Sequence, residues 1–194
     1  MKIEEIEYTP NPNAVKFILD QQLTMGGRTR TFESMEDAEG VPLAKAILEI
    51  EHVESVFFAD RWLTVTQDGD ANWRELMREI AEPIRAAELD DARPADGGMP
   101  GRGGSGDEDE FSDEENGLDD PRVDSIRAVI NEEILPYLQG DGGGLQIKAL
   151  IDDQLMIRYE GACGTCPASV TGTLMAIENL LKDRVDPEIS VVSV

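Results

Sequence analysis

The sequence predicts an α+β protein made of two small α/β-sandwich-like domains that an acidic, glycine-rich linker joins. Two observations lead to this class. Hydrophobic residues recur with helical and strand periods in both halves of the chain, whereas the middle holds few large apolar side chains. A chain of 194 residues is long enough to bury a core in each half. We expect a first domain at 1–87, a linker at 88–121 and a second domain at 122–194.

Composition sets the linker apart from both domains. Residues 88–121 include 13 acidic and 2 basic side chains, together with the glycine-rich run Gly97–Gly106. Such a segment buries too little apolar surface to offset the entropy that ordering would cost. Its like charges also repel each other and extend the chain. The segment is therefore predicted to be a flexible, disordered tether.

The first domain begins with a predicted strand and helix. Val15, Phe17 and Leu19 alternate with Lys16, Ile18 and Asp20. This period of two predicts a half-buried strand. Pro42 suits the first turn of a helix, and Leu43 would lie on the apolar face that follows.

A hairpin and a second helix complete the first domain. Two β-rich runs, 53–58 and 62–66, flank a three-residue turn and predict a hairpin. Apolar residues from Trp73 to Ala87 recur at helical spacing, with Pro83 inside the pattern. No residues in this domain form a catalytic constellation, so we expect no active site here.

The second domain is predicted to have the element order α-β-β-α-β. Its first helix shows a stripe at spacings of three and four, formed by Val123, Ile126, Ile130, Ile134 and Tyr137. Alternating apolar residues at 145–151 and 155–159 predict a hairpin, and a helical stripe follows at 170–181. The run 189–194 closes the domain as a strand. We expect a three-stranded sheet with helices packed on it.

Charge and hydropathy exclude several classes of partner. The net charge is −24, so a nucleic-acid backbone is not an expected partner. The first residues are rich in glutamate and do not resemble a signal peptide, and no apolar run has the length of a membrane span. We expect a cytoplasmic protein with no membrane partner. In a reducing cytosol, a close cysteine pair favours metal binding or redox chemistry over a structural disulfide.

Cys163 and Cys166 are the only cysteines in the chain. Zinc and iron–sulfur clusters usually take four protein ligands, and two thiolates supply half of that set. A second copy of the chain is the simplest source of the other two, because a two-fold axis turns two cysteines into four. The cysteine count therefore links a metal hypothesis to a homodimer hypothesis.

The predicted elements place this pair between a strand and a helix. Pro167 suits the first helical position, which would put Cys166 at the helix N-cap. The positive end of the helix favours the thiolate that metals and electrophiles require. Gly161 and Gly164 allow the backbone to approach a cluster closely.

Four interpretations of the cysteine pair stay open at this point. The first is a thiol–disulfide oxidoreductase, although the expected βαβ entry of a thioredoxin-like unit is missing. The second is structural zinc shared across a dimer, and the third is an iron–sulfur cluster shared in the same way. The fourth is a purely structural pair of buried cysteines.

Two other features have simpler interpretations. The run Gly140–Gly144 lacks the Lys-Ser/Thr of a phosphate-binding loop, so it is predicted to be a helix-to-strand turn. His52, the only histidine, stands beside Glu51 at a predicted helix end and is expected to be a surface residue rather than a ligand.

These motifs together resemble a known family. Residues 137–144, the hairpin and Gly161-Ala-Cys-Gly-Thr-Cys-Pro167 resemble the NifU C-terminal domain across 122–194. Residues 8–87 resemble the Nfu N-terminal domain, most clearly at Thr9–Ala14. The whole chain is similar to the Nfu-type iron–sulfur cluster carriers.

The resemblance implies a function that is not enzymatic. Cys163 and Cys166 of two chains would hold one shared 4Fe–4S cluster at a homodimer interface and transfer it to apo-proteins. The implied partners are apo iron–sulfur clients and an upstream cluster scaffold. The scaffold domain that works with a cysteine desulfurase is absent, so the resemblance implies transfer rather than assembly of the cluster. The thiol–disulfide oxidoreductase stays as the alternative.

Overall fold

Buried apolar side chains gather in two main clusters, one in each of the units into which the chain divides, 1–108 and 109–194. The computed structural model describes residues 1–25, 28–93, 116–164 and 169–194, with the backbone alone at 169–171. Both units combine helices with a β-sheet, which confirms the predicted α+β class. Within the described ranges, no helix is long and apolar enough to cross a membrane.

The first unit contains a five-stranded antiparallel sheet in the order β1-β2-β5-β4-β3. The strands are β1 (Ile3–Tyr8), β2 (Ala14–Leu19), β3 (Thr29–Phe32), β4 (Val53–Ala59) and β5 (Trp62–Gln67). Helices α1 (Pro42–Leu48) and α2 (Trp73–Ala86) contribute to the same core. The predicted strand, hairpin and two helices of this domain are confirmed.

Two strands of this sheet were not predicted, and both lie at its edges. β1 is largely exposed along its length, so its sequence shows no alternation of apolar and polar residues. β3 has only four residues, too few for a period to be recognised. Both strands are defined by pairing with a neighbour and not by their own pattern.

The loop between β1 and β2 is held by side-chain hydrogen bonds. The Thr9 hydroxyl donates within 3.0 Å to the carbonyl oxygens of Asn11 and Ala14. The indole N–H of Trp73, at the start of α2, donates to the Pro12 carbonyl oxygen at 2.8 Å. The segment in which the family resemblance is clearest is therefore an ordered loop fastened to a helix.

The described ends of the predicted tether are structured. A short 3₁₀ helix, Leu89–Ala92, follows α2, and Ala92 is buried in the first core. At the other end, Leu118 packs against the second core, and the backbone N–H of Leu150 donates to the Asn116 carbonyl oxygen at 2.8 Å. The prediction of a flexible coil over 88–121 does not hold for these ends, because their apolar residues are covered by the adjoining units. Residues 94–115 lie outside the described residues, and the domain boundaries stay a prediction.

The second unit has the predicted order α-β-β-α-β. It begins with α3 (Pro121–Val129), a π-helical turn (Ile130–Ile134) and α4 (Leu135–Gly140), and continues with β6 (Gly143–Ile151), β7 (Gln154–Gly161), α5 (Ser169–Arg184) and β8 (Ser190–Ser193). The sheet order is β6-β7-β8, with β6 antiparallel and β8 parallel to β7. The three-stranded sheet is therefore confirmed.

The π-helical turn corrects the predicted apolar stripe of the first helix. Tyr137 was placed in that stripe, but it is 76% exposed, and Leu138 is buried instead. A π turn takes more residues than an α turn, so the inward-facing position moves along the sequence by about one residue. Ile126 and Ile130, which come before the change, are buried as predicted.

A bulge in β6 corrects the predicted alternation of the hairpin. The pairing with β7 shifts between Ile147 and Ala149, so one extra residue enters β6. After this point Leu150 pairs with Leu155 on the core face, whereas Ile151 is 47% exposed. A strict period of two had placed Ile151 on the core face.

Arg122 joins three loops at the hairpin-turn end of this sheet. Its guanidinium donates to the carboxylates of Asp120 at 2.9 Å, Asp153 at 2.8 Å and Asp186 at 3.1 Å. It also donates to the backbone carbonyl oxygen of Asp152 at 2.7 Å. One side chain thus connects the start of α3, the hairpin turn and the loop before β8. Its hydrogen bonds raise the pKa of Arg122 above its usual range, with Asp120 the largest cause.

Two of these carboxylates titrate below their usual range. Hydrogen bonds from Arg122 lower the pKa of Asp120. The pKa of Asp186 is lowered first by the backbone N–H of Glu188 and second by Arg122. A carboxylate with a depressed pKa stabilises the fold above its unfolded-state pKa, which is about 3.9. That contribution is lost as the pH falls through the lower, folded-state pKa.

We predict that Arg122→Ala lowers the urea midpoint of the second unit at pH 7, because three carboxylates lose their shared donor. The difference in urea midpoint between the variant and the wild type should shrink in steps below about pH 4, because the carboxylates protonate in both proteins. Circular dichroism from pH 7 down to pH 3 measures both effects. Arg127→Ala, an exposed arginine of the same helix, is the control. Equal losses in the two variants at pH 7 would contradict the network's role.

Candidate functional site

Cys163 lies in the turn that follows β7, at the end of the sheet opposite the Arg122 network. Gly161 has a left-handed backbone (φ 60°), and the N–H of Gly164 donates to the Gly161 carbonyl oxygen at 3.1 Å. These features fold the chain back over the sheet. Cys163 is consequently 2% exposed and belongs to the second core.

The glycine run after α4 packs directly on this turn. Gly143 pairs with Gly161 across the sheet, and the N–H of Ala162 donates to the Gly142 carbonyl oxygen at 3.2 Å. A Cβ at Gly143 would lie 2.5 Å from Cys163 Sγ, whereas real Cβ atoms essentially never come within 3.0 Å of another heavy atom. Only glycine fits there, so the run that was predicted to be a helix-to-strand turn also forms one wall around Cys163.

Tyr159 lies beneath the same turn. It precedes Cys163 by four residues, is 7% exposed, and belongs to the same core. A Cβ at Gly164 would lie 3.3 Å from the Tyr159 carbonyl oxygen, so the turn packs closely over this residue. Burial, and secondly the charge of Cys163, raise the pKa of Tyr159 to about 12.

The Tyr159 hydroxyl oxygen is buried without a hydrogen-bond partner among the described residues. A buried polar group left unpaired costs about 1–3 kcal/mol. Sequence reasoning treated Tyr159 as an ordinary member of the alternating core strand and missed this feature. The signal was available: a tyrosine, not a phenylalanine or leucine, at an inward position close to the cysteine pair.

The second predicted ligand, Cys166, lies outside the described residues, together with Thr165, Pro167 and Ala168. Its predicted place at the helix N-cap therefore stays a prediction. Among the described side chains, no group of three or more His, Cys, Asp and Glu comes together as a metal site.

His52 lies in the other unit and has a local partner. Its Nδ1 is 2.9 Å from an Asp68 carboxylate oxygen, and both side chains are about one-third exposed. This hydrogen bond is the largest cause that raises the pKa of His52. His52 has a left-handed backbone (φ 72°) in the bend between α1 and β4. His52 therefore lies at the surface, where it was expected.

Comparisons with known proteins match both units. Residues 3–88 match the family described as "Scaffold protein Nfu/NifU N terminal", and residues 126–192 match the family described as "NifU-like domain". The human "NFU1 iron-sulfur cluster scaffold homolog, mitochondrial" is 32% identical over 182 residues, which is 90% of this chain and 65% of the relative. The protein of the same name from Drosophila persimilis is 27% identical over 180 residues, 90% of this chain and 58% of that relative.

Two solved structures each match less than half of this chain. A Staphylococcus aureus protein determined by X-ray crystallography is 28% identical, covering 43% of this chain and 99% of that chain, with a TM-score of 0.40. A NifU-like protein from Saccharomyces cerevisiae is 24% identical, covering 43% of this chain and 76% of that chain, with a TM-score of 0.37.

The two family matches define a chain with an Nfu-type domain followed by a NifU-type domain. The chain belongs to the Nfu/NifU family. It spans 58% to 65% of the length of the two curated relatives named above.

We predict that Gly143→Ala lowers the melting temperature by several degrees. The added Cβ meets Cys163 Sγ and the Glu160 carbonyl oxygen, 2.6 Å away, and overpacking of this kind costs about 1–3 kcal/mol. Differential scanning calorimetry measures the change. Gly140→Ala is the matched control, since a Cβ there has no neighbour within 4 Å. It should leave the melting temperature unchanged or slightly higher. Equal melting temperatures for the two variants would show that the residues around Gly143 accommodate a Cβ without loss of stability.

Proposed function

We propose that this protein is an iron–sulfur cluster scaffold and carrier, not an enzyme, and that Cys163 and Cys166 hold its cargo. One observation carries the proposal: in a NifU-type domain, a turn built on glycines holds Cys163 at the end of the sheet. The human relative is named as an iron–sulfur cluster scaffold homolog, and that name supports the same function here.

The residues present fit a cluster shared between two chains. The sequence holds two cysteines, and a cluster with four cysteine ligands needs two more thiolates. A second copy supplies them by symmetry, so we propose that the loaded form is a homodimer holding one 4Fe–4S cluster. The glycine wall at Gly143 leaves room for sulfur where any side chain would fill it.

Loading requires the turn to change. Cys163 is 2% exposed, and its contact with Gly143 covers the sulfur. For the sulfur to reach iron held between two copies, the bonds Ala162–Gly142 and Gly164–Gly161 have to open or shift. Both bonds lie outside the strand ladder, so their opening leaves the pairing of β6 with β7 in place.

Transfer would proceed by exchange of thiolates. Cysteines of an apo iron–sulfur client displace Cys163 and Cys166 from the cluster, and an upstream scaffold supplies the next one. The N-terminal unit would hold a client while the second unit delivers, because a tether raises the effective concentration of the cluster. A cytoplasmic location is the prediction from the sequence, whereas the relatives' names say mitochondrial.

Anaerobic native mass spectrometry after incubation with ferrous iron and sulfide tests this proposal. The expected species is a dimer heavier than two chains by the mass of one 4Fe–4S unit. A metal-free monomer with an internal disulfide would contradict it and favour a thiol–disulfide oxidoreductase. A colourless dimer that holds zinc would contradict it in favour of a structural metal site.

We predict that Cys163→Ala and Cys166→Ala each abolish cluster binding, since either change leaves the dimer with two of its four thiolates. Iron per chain, determined after reconstitution and gel filtration, measures the loss. Met35→Ala, which removes an exposed sulfur-bearing side chain from the other unit, should retain full iron content. Stoichiometric iron in either cysteine variant would show that the ligands lie elsewhere.

A further inference from the structure

The first half of helix α5 exposes a surface that carries no charge. Four exposed residues, related by spacings of three and four, lie together on one side of the helix: Gly172, Met175, Ala176 and Asn179. The side chain of Met175 is large and apolar, and the residue is 63% exposed. The sequence 161–177 is also the longest uncharged run of a chain in which 30% of the residues are charged. An exposed apolar side chain on an uncharged surface is typical of a protein interface.

Gly172 has no role in the packing of this helix among the described residues. A Cβ added there would meet no heavy atom within 4 Å, so the surrounding chain leaves room for a side chain. Glycine is also a poorer helix former than alanine or any long polar residue. A bare backbone does, however, allow another surface to approach closely. Gly172 therefore fits a helix face that a second molecule covers.

Helix α4 adds a second exposed apolar side chain at the same end of the unit. Tyr137 is 76% exposed and lies three residues before the end of α4. This helix leads into Gly143, which pairs with Gly161 at the cysteine end of the sheet. Helix α5 begins six residues after Cys163, and both helices contribute to the second core. The end of α4 and the start of α5 thus flank the turn that holds the candidate ligand.

We propose that a second copy of this chain docks on the surface formed by Tyr137, Gly172, Met175 and Ala176, here termed the α4/α5 surface. The inference rests on the proposed function, in which the site is incomplete without a second copy, since one chain has two of the four thiolates. The second copy must bring its own cysteine end to the same cluster. The surfaces that flank the two cysteine turns then meet each other across a two-fold axis.

The composition of the α4/α5 surface suits contact with its own copy. Across a two-fold axis, a charge near the axis faces the same charge, and like charges in contact oppose binding. A chain with a net charge of −24 therefore needs an uncharged surface at this place. Methionine and tyrosine are enriched in the cores of protein interfaces. The surface lies on two helices that are anchored in the core, so it does not depend on the position of the turn 161–164.

Met175→Glu tests the inference, with Met25→Glu, a 59% exposed methionine of the other unit, as the matched control. Each full chain is reconstituted with ferrous iron and sulfide, and anaerobic sedimentation equilibrium gives the dissociation constant of the loaded dimer. Metal-free Met175→Glu should melt as the wild type does, because the side chain is exposed. Its loaded dimer should have a dissociation constant at least about tenfold higher, since two like charges meet at the interface. Met25→Glu should match the wild type in both measurements.

Gly172→Gln separates an interface role from a helix role. Glutamine is the better helix former and has free space at this position, so the metal-free variant should melt at or above the wild-type temperature. The loaded dimer should nevertheless dissociate more readily, because the new side chain occupies the space that the second copy approaches. A purely local role of Gly172 would leave the dissociation constant of the dimer unchanged.

Two results would overturn the inference and leave the proposed function intact. A wild-type dissociation constant for loaded Met175→Glu would show that the two copies meet through another surface. An unchanged dimer that delivers its cluster more slowly to an apo-ferredoxin would show that the α4/α5 surface binds the client instead. Wild-type protein that takes up no iron, or that stays monomeric when loaded, would overturn the proposed function and this inference with it.

Discussion

The contact between Gly143 and Cys163 fixes the candidate ligand in this fold. Gly143 pairs with Gly161 at the end of the hairpin, and the missing Cβ provides the space that the Cys163 sulfur occupies. Because the turn lies so close to Gly143, the Ala162 N–H can donate to the Gly142 carbonyl oxygen, and the turn covers Tyr159. A side chain at Gly143 would push the turn away from the sheet and open the core beneath it.

The two ends of the C-terminal sheet are held by different forces. At the hairpin turn, Arg122 joins three loops through charge-assisted hydrogen bonds. At the cysteine end, roughly 25 Å away along strands of this length, close glycine contacts and backbone hydrogen bonds, among them Ala162 to Gly142 and Gly164 to Gly161, hold the turn. Because the charged network is remote, a movement of the turn 161–164 would leave the rest of the sheet anchored. In the proposed function, this division would confine the rearrangement on loading to the cysteine end of the sheet.

Patterns in the sequence predicted the buried elements and missed features that depend on pairing. The α-β-β-α-β order followed from apolar periods, but the π turn moved the buried position from Tyr137 to Leu138, since no residue pattern marks a π turn. The cysteine pair was found by counting. The wall at Gly143 was not found, because a glycine's role depends on which atom lies opposite it in space. The unpaired Tyr159 hydroxyl was missed for the same reason.

Burial of Cys163 fits the proposed role of a carrier that gives up the cluster it binds. In the metal-free chain, the sulfur gains apolar contacts in the core and is shielded from solvent, and buried cysteines are inert toward oxidation. In the proposed function, iron binding would have to replace those contacts, so the free energy of closing the turn would oppose the free energy of ligation. A fully exposed Cys163 would hold the cluster more tightly and leave a reactive thiolate after release. In the proposed function, the closed turn would lower the affinity for the cluster and protect the empty carrier through the same contacts.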